Sequence, residues 1–107
     1  MKTETVTVVR IYLRESEHLL EKVVKFLHDE AAAAGVTVMR GVEGYSGTGQ
    51  VHPAFLLDLS LDLPLVVEFF DAPDRAEALI YSLVRRFPLR HIISWTASSH
   101  KTIKTNQ

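Results

Sequence analysis

The chain has 107 residues, 47% hydrophobic and 23% charged, with a formal net charge of −1 and no cysteine. That length suits one domain whose apolar share can build a core, which excludes global disorder. The missing cysteines exclude disulfides, a thiol nucleophile and Cys-ligated zinc or iron–sulfur centres, and the near-neutral charge gives no general drive toward nucleic acid or anionic lipid.

Purely apolar runs reach only four or five residues, too short for a transmembrane helix. The opening stretch from Met1 to Glu4 has no apolar segment, so no secretory signal is expected and the default location is cytoplasmic.

Val6 to Leu13 is rich in β-branched and aliphatic residues and reads as a strand. Its alternation puts Val9, Ile11 and Leu13 on one face and Val8, Arg10 and Tyr12 on the other. Ser16 is a suitable N-cap for a helix whose stripe is Leu19, Leu20, Val23, Val24, Leu27, Ala31 and Ala34, with Gly35 closing it. A second strand runs from Val36 to about Val42. All five glycines then fall between positions 35 and 49. A strand is predicted from about Val51 to Leu59, with a break at Asp62 and Pro64, and another from Leu65 to Phe70. Pro73 opens a second helix with Asp74 and Glu77 early and Arg85 and Arg86 late, an order that suits the helix dipole. Ala76, Leu79, Ile80, Leu83, Val84 and Phe87 form its stripe, and Pro88 ends it. Arg90 to Thr96 reads as the last strand, ahead of a polar tail.

With the stretches on either side of the Asp62 and Pro64 break counted as one interrupted strand, the order strand, helix, strand, strand, helix, strand predicts an α+β, ferredoxin-like βαββαβ sandwich: an antiparallel sheet with two helices on one face. One domain spans residues 1–107, with its core in 6–97 and a frayed polar tail over 98–107. The helix-free face would expose Val8, Tyr12, Val66 and Phe70, an apolar surface that self-association would bury. Arg10 and Glu68 share that face, either as a pair within the interface or as a solvated rim pair.

The segment from Arg40 to His52 carries the most chemistry. Its glycines admit positive φ and let backbone N–H groups approach a ligand; Arg40 offers a bidentate grip on an anion and Tyr45 a stacking ring. It matches neither the P-loop nor the GxGxxG pattern, and a hairpin tip is the plainer reading. His18 and His28 share a helix without an HExxH motif, whereas His52, His91 and His100 meet only across the fold or between subunits. No Ser–His–carboxylate spacing supports nucleophilic catalysis, and the aromatic pattern of RNA-binding sheets is absent.

Three segments, VVRIYLRESE (8–17), GVTVMRGVEGYSGTGQVH (35–52) and LSLDLPLVVEFFD (59–71), together resemble the short bacterial and archaeal proteins grouped as domain of unknown function 190, a PII-like family. The resemblance implies a homotrimer with ligands in clefts between subunits and no enzymatic activity. It also implies a sensing loop that corresponds by position to about Val42 to Ala54, and a membrane transport protein or channel as partner. The basic and glycine residues with which PII proteins hold ATP phosphates are absent after the second helix, where Phe87 to Ile93 is FPLRHII. The ATP and 2-oxoglutarate sites are therefore not carried over.

Two readings follow. The first is a regulator that binds a small anionic effector, an adenine nucleotide being one candidate, through Arg40, Gly41, Glu43, Gly44, Tyr45, Gly47, Gly49, Gln50 and His52, with Arg10 and Glu68 beneath. Ligand binding would order the glycine-rich loop. No cofactor and no nucleic acid is expected. The alternative is a metal-responsive or small-molecule-binding stress protein on the same trimer, using histidines and carboxylates at the clefts.

Overall fold

Period-two alternation in two adjacent strands sets the sandwich. The computed structural model describes residues 1–41 and 63–102. In β1 (Lys2–Arg14), Val9, Ile11 and Leu13 are buried, and in β3 (Pro64–Asp71) so are Leu65, Val67 and Phe69. The two strands run antiparallel with Val9 opposite Phe69, Ile11 opposite Val67 and Leu13 opposite Leu65, so the six side chains form one apolar floor. Two helices lie on it. Helix α1 (Leu20–Lys25), continued by a π-helical turn (Phe26–Glu30), contributes Val23, Phe26 and Leu27; α2 (Pro73–Arg86) contributes Ala76, Leu79 and Leu83. Each fully buried Val, Leu, Ile or Phe among them contributes about 1.5–3 kcal/mol.

With β2 (Val36–Arg40) and β4 (His91–Lys101), the sheet order is β2-β3-β1-β4, antiparallel throughout. This is the predicted ferredoxin-like α+β sandwich, with the first and third strands as neighbours. Val42 and the strand predicted over 51–59 lie outside the described residues.

Four local expectations change. Ser16 does not cap α1; it sits within a 3-10 turn (Glu15–Glu17). That turn is tied down by Arg14 N–H donating to Glu17 Oε1 (2.8 Å) and Glu15 N–H donating to Leu63 O (3.1 Å). The helix therefore begins only at Leu20, after His18 takes a left-handed φ of 55°. Its end also comes early, because the π turn unwinds into Ala32 at φ 49°. The Arg75 guanidinium of α2 reaches across to the Ala31 and Ala32 carbonyl oxygens and satisfies acceptors that the helix end leaves open.

Gly35 does not close the helix but takes φ 62° just before β2, where an added Cβ would lie 3.0 Å from the Phe70 ring. Finally, the first and last strands outrun their predicted limits. β1 starts at Lys2 and β4 reaches Lys101, because Lys2–Val6 pairs with Ala97–Lys101 as a two-stranded ribbon where a polar tail was expected. Backbone pairing, not side-chain burial, holds this ribbon, which is why its polar sequence hid it.

Candidate functional site

The face opposite the helices carries Val8, Arg10 and Tyr12 from β1, Val66, Glu68 and Phe70 from β3, Met39 from β2, and His91, Ile93 and Trp95 from β4, as the ladder register requires. Tyr12, Met39, Ile93 and Trp95 are each about two-fifths exposed, a large apolar area for one sheet face. An ion pair interrupts it. Arg10 Nε donates to Glu68 Oε1 at 2.7 Å, and the guanidinium carbon stands 5.3 Å from the Trp95 ring centroid. The Glu68 hydrogen bond, and after it one with Tyr12, raises the Arg10 pKa above its ordinary value, so the cation is fixed at any working pH. Tyr12 in turn faces His91, with ring centroids 5.9 Å apart.

A second arrangement sits at the end of the sheet where β2 stops and β3 starts. Gly41 N–H donates to Pro64 O at 2.8 Å, and a Cβ on Gly41 would fall 2.7 Å from Pro64 Cγ, so only glycine fits without a shift. Beside this contact stands Glu15. One carboxylate oxygen, Oε1, accepts the Leu63 N–H at 3.3 Å, and Oε2 pairs with Arg40 Nη1 at 2.9 Å. Next to it, Glu17 accepts the Arg14 N–H and lies 4.0 Å from Arg90 Nε. A concavity of about 310 Å³ adjoins the cluster, lined by Arg14, Glu15, His18, Glu21 and Lys22 over the apolar Leu20 and Leu65.

The structure therefore places the predicted site residues in two locations. Arg40 stands opposite Leu65, on the helix side of the sheet, whereas Arg10 and Glu68 lie on the helix-free side. Arg10 and Glu68 come together with each other and not with Arg40. Gly41 packs against Pro64, while Glu43, Gly44, Tyr45, Gly47, Gly49, Gln50 and His52 lie outside the described residues.

A family model, DUF190 (Uncharacterized ACR), matches residues 6–98. The chain belongs to that family. Its fold is also that of PII-like proteins. A putative PII-like signaling protein from Thermus thermophilus superposes with a TM-score of 0.59 at 16% identity, over 92% of this chain and 91% of that one. CPII from Thiomonas intermedia, bound to ADP and bicarbonate, gives 0.61 at 16% identity over 92% and 89%. A further CPII structure from the same organism, described as a nitrogen regulatory PII-like protein bound to ADP, AMP and bicarbonate, gives 0.64 at 13% identity over 95% and 100%.

In this DUF190 chain the described histidines are dispersed. His91 lies beside Tyr12 with the two rings tilted at 55°, His28 Nδ1 lies 2.7 Å from Asp29 Oδ1, and His100 Nδ1 lies 3.2 Å from Thr3 Oγ1. Among the described residues no three His, Asp or Glu side chains converge as a metal site would need, and no helix is long and apolar enough to cross a membrane.

Sequence reading missed Glu15 and Trp95. Nothing in the sequence around Glu15 signals a contact with residue 63. Trp95 was legible in principle, since period-two counting along β4 puts it on the same face as Ile93.

Proposed function

We propose that this DUF190 chain is a non-catalytic PII-like regulator that assembles as a homotrimer and binds an adenine nucleotide in the clefts between subunits. The observation that carries the reading is the shared fold: a superposition over 92% of the chain with CPII, whose structure holds ADP and bicarbonate. The apolar, helix-free sheet face supports the assembly, because covering so much Tyr, Trp, Ile and Met surface is stabilising. Arg40 at the end of β2 is the cation for the phosphates, with Gly41 and the glycine-rich stretch from Glu43 to His52 supplying further contacts. Fixing glycines costs backbone entropy, so nucleotide binding shifts the loop's population, and a membrane transport protein is the partner that reads it.

Native mass spectrometry with ADP, AMP and ATP tests this directly. The expected result is a trimer that gains up to three nucleotide masses, with Arg40→Ala losing the nucleotide and keeping the trimer. A monomer, or a trimer that takes up none of the three, overturns the reading.

A further inference from the structure

Arg40 is not a free cation waiting for an anion. Its guanidinium is paired with Glu15 Oε2 at 2.9 Å, and Glu15 is itself fixed. The Glu15 N–H donates to Leu63 O and the Leu63 N–H donates back to Oε1, a two-bond clamp between the turn after β1 and the residue preceding β3. Glu15 is only 24% exposed and Arg40 is 56% exposed, so the carboxylate is the anchored partner and the arginine the movable one. Glu15 thus holds residue 40, where β2 ends, and residue 63, next to the start of β3.

We infer that Glu15 is a built-in competitor for the anion site: its carboxylate occupies Arg40 in the empty protein, and an anionic ligand binds by drawing the guanidinium away from it. This rests on the proposal that Arg40 meets the ligand's phosphates. Glu15 holds the guanidinium through Nη1 alone, so a phosphate that takes the planar fork of Arg40 donors bidentately must compete with the carboxylate for that nitrogen. The adjoining concavity is lined by the cations Arg14 and Lys22 and also by the Glu21 carboxylate, so two charges there favour an incoming anion and one opposes it. Glu15 then sets affinity. It makes the site weaker than Arg40 alone would, and it couples ligand arrival to release of a contact that joins β2 to the turn after β1. The competing charge need not touch the ligand, so Glu15 is a positioning residue.

Glu15→Gln separates the parts, because the amide oxygen still accepts the Leu63 N–H while the ion pair is lost. Two readouts are needed. Trypsin cleaves after Arg40 only when that side chain leaves its partner and the Gly41 N–H leaves Pro64 O, so the difference in cleavage rate at the Arg40–Gly41 bond between Glu15→Gln and the unsubstituted chain reports the hold without any ligand. Calorimetric titration with ADP reports the competition. Glu15→Gln is expected to speed cleavage and tighten ADP binding about two- to fivefold each, the range that a partly exposed ion pair commands. Glu21→Gln, which removes a carboxylate from the same concavity but not from Arg40, should give the smaller change in both. The Glu15→Gln, Arg40→Ala double variant should bind ADP no better than Arg40→Ala alone.

Unchanged cleavage in Glu15→Gln overturns the inference whatever ADP does. A gain in ADP affinity that persists in the double variant overturns it too, since the gain would then not act through Arg40. Faster cleavage with no ADP binding by any protein, the unsubstituted chain included, upholds the hold on Arg40 and refutes the nucleotide reading instead.

Discussion

Arg10 of β1 stands directly opposite Glu68 of β3, its Nε donating to Oε1 at 2.7 Å, on the sheet face that neither helix covers. The pair lies in the middle of an apolar surface, with Trp95 against the guanidinium. If a second copy covers the face, removing one charge strands the other in a desolvated interface, whereas removing both leaves an apolar contact. Arg10→Leu and Glu68→Leu are each expected to weaken self-association strongly, and the double Leu variant to recover most of the loss. Sedimentation equilibrium on the three variants checks this. Additive, small effects would mean that the pair sits in water.

A charge placed on the rest of that face should act on assembly and leave the fold alone. Trp95 and Met39 are exposed on it and belong to no part of the buried core. Trp95→Glu or Met39→Glu is expected to yield a folded monomer, seen as loss of oligomer by light scattering with an unchanged far-ultraviolet spectrum. A surviving oligomer would place the interface elsewhere.

How much of this was legible in the chain follows from the range of each signal. Val9, Ile11, Leu13, Leu65, Val67 and Phe69 alternate with period two, a local pattern, and the face expected for each is the face the structure has. Helix α2 was equally plain from Pro73 to Arg86, since its start and stop are local, although Val84, expected in its apolar stripe, is 55% exposed. The N-terminus of α1 differs from expectation because Glu15 is held by Leu63, a residue 48 positions away, and that bond outweighs the capping preference of Ser16. The ribbon of Lys2–Val6 with Ala97–Lys101 escaped for the same reason: its partners are at opposite ends of the chain and its side chains are mostly polar. At the candidate site, residue types drew attention to Arg40, but only geometry revealed that Glu15 already occupies it.

Two constraints meet at one glycine and should be separable. Gly35 needs both its positive φ of 62° and the space in front of the Phe70 ring. Alanine there costs about 1–2 kcal/mol for the left-handed backbone alone, and more for the ring contact. Phe70→Leu in the Gly35→Ala background removes the ring and should recover only the second part. Urea denaturation of the two variants gives both quantities. Full recovery by Phe70→Leu would mean that the backbone itself is unstrained.

The ribbon makes a prediction about where stability resides. Ser98 to Lys101 continue β4 beside Lys2 to Thr5, yet none of these side chains is buried. The face turned toward the helices there is Thr3, Thr5, Thr96, Ser98 and His100, and a 3.2 Å contact joins Thr3 Oγ1 to His100 Nδ1 across it. A two-stranded ribbon with no apolar cover adds little by itself, because its solvent-exposed hydrogen bonds replace bonds to water at small net gain. Ending the chain after Ala97 is therefore expected to cost the isolated subunit under about 2 kcal/mol, whereas Phe69→Ala, which empties the floor beneath the helices, should cost about 3–5 kcal/mol. Urea midpoints for the two variants, taken at concentrations below assembly, check the ordering. A truncation that costs as much as Phe69→Ala would mean that the ribbon carries stability beyond its own backbone pairing.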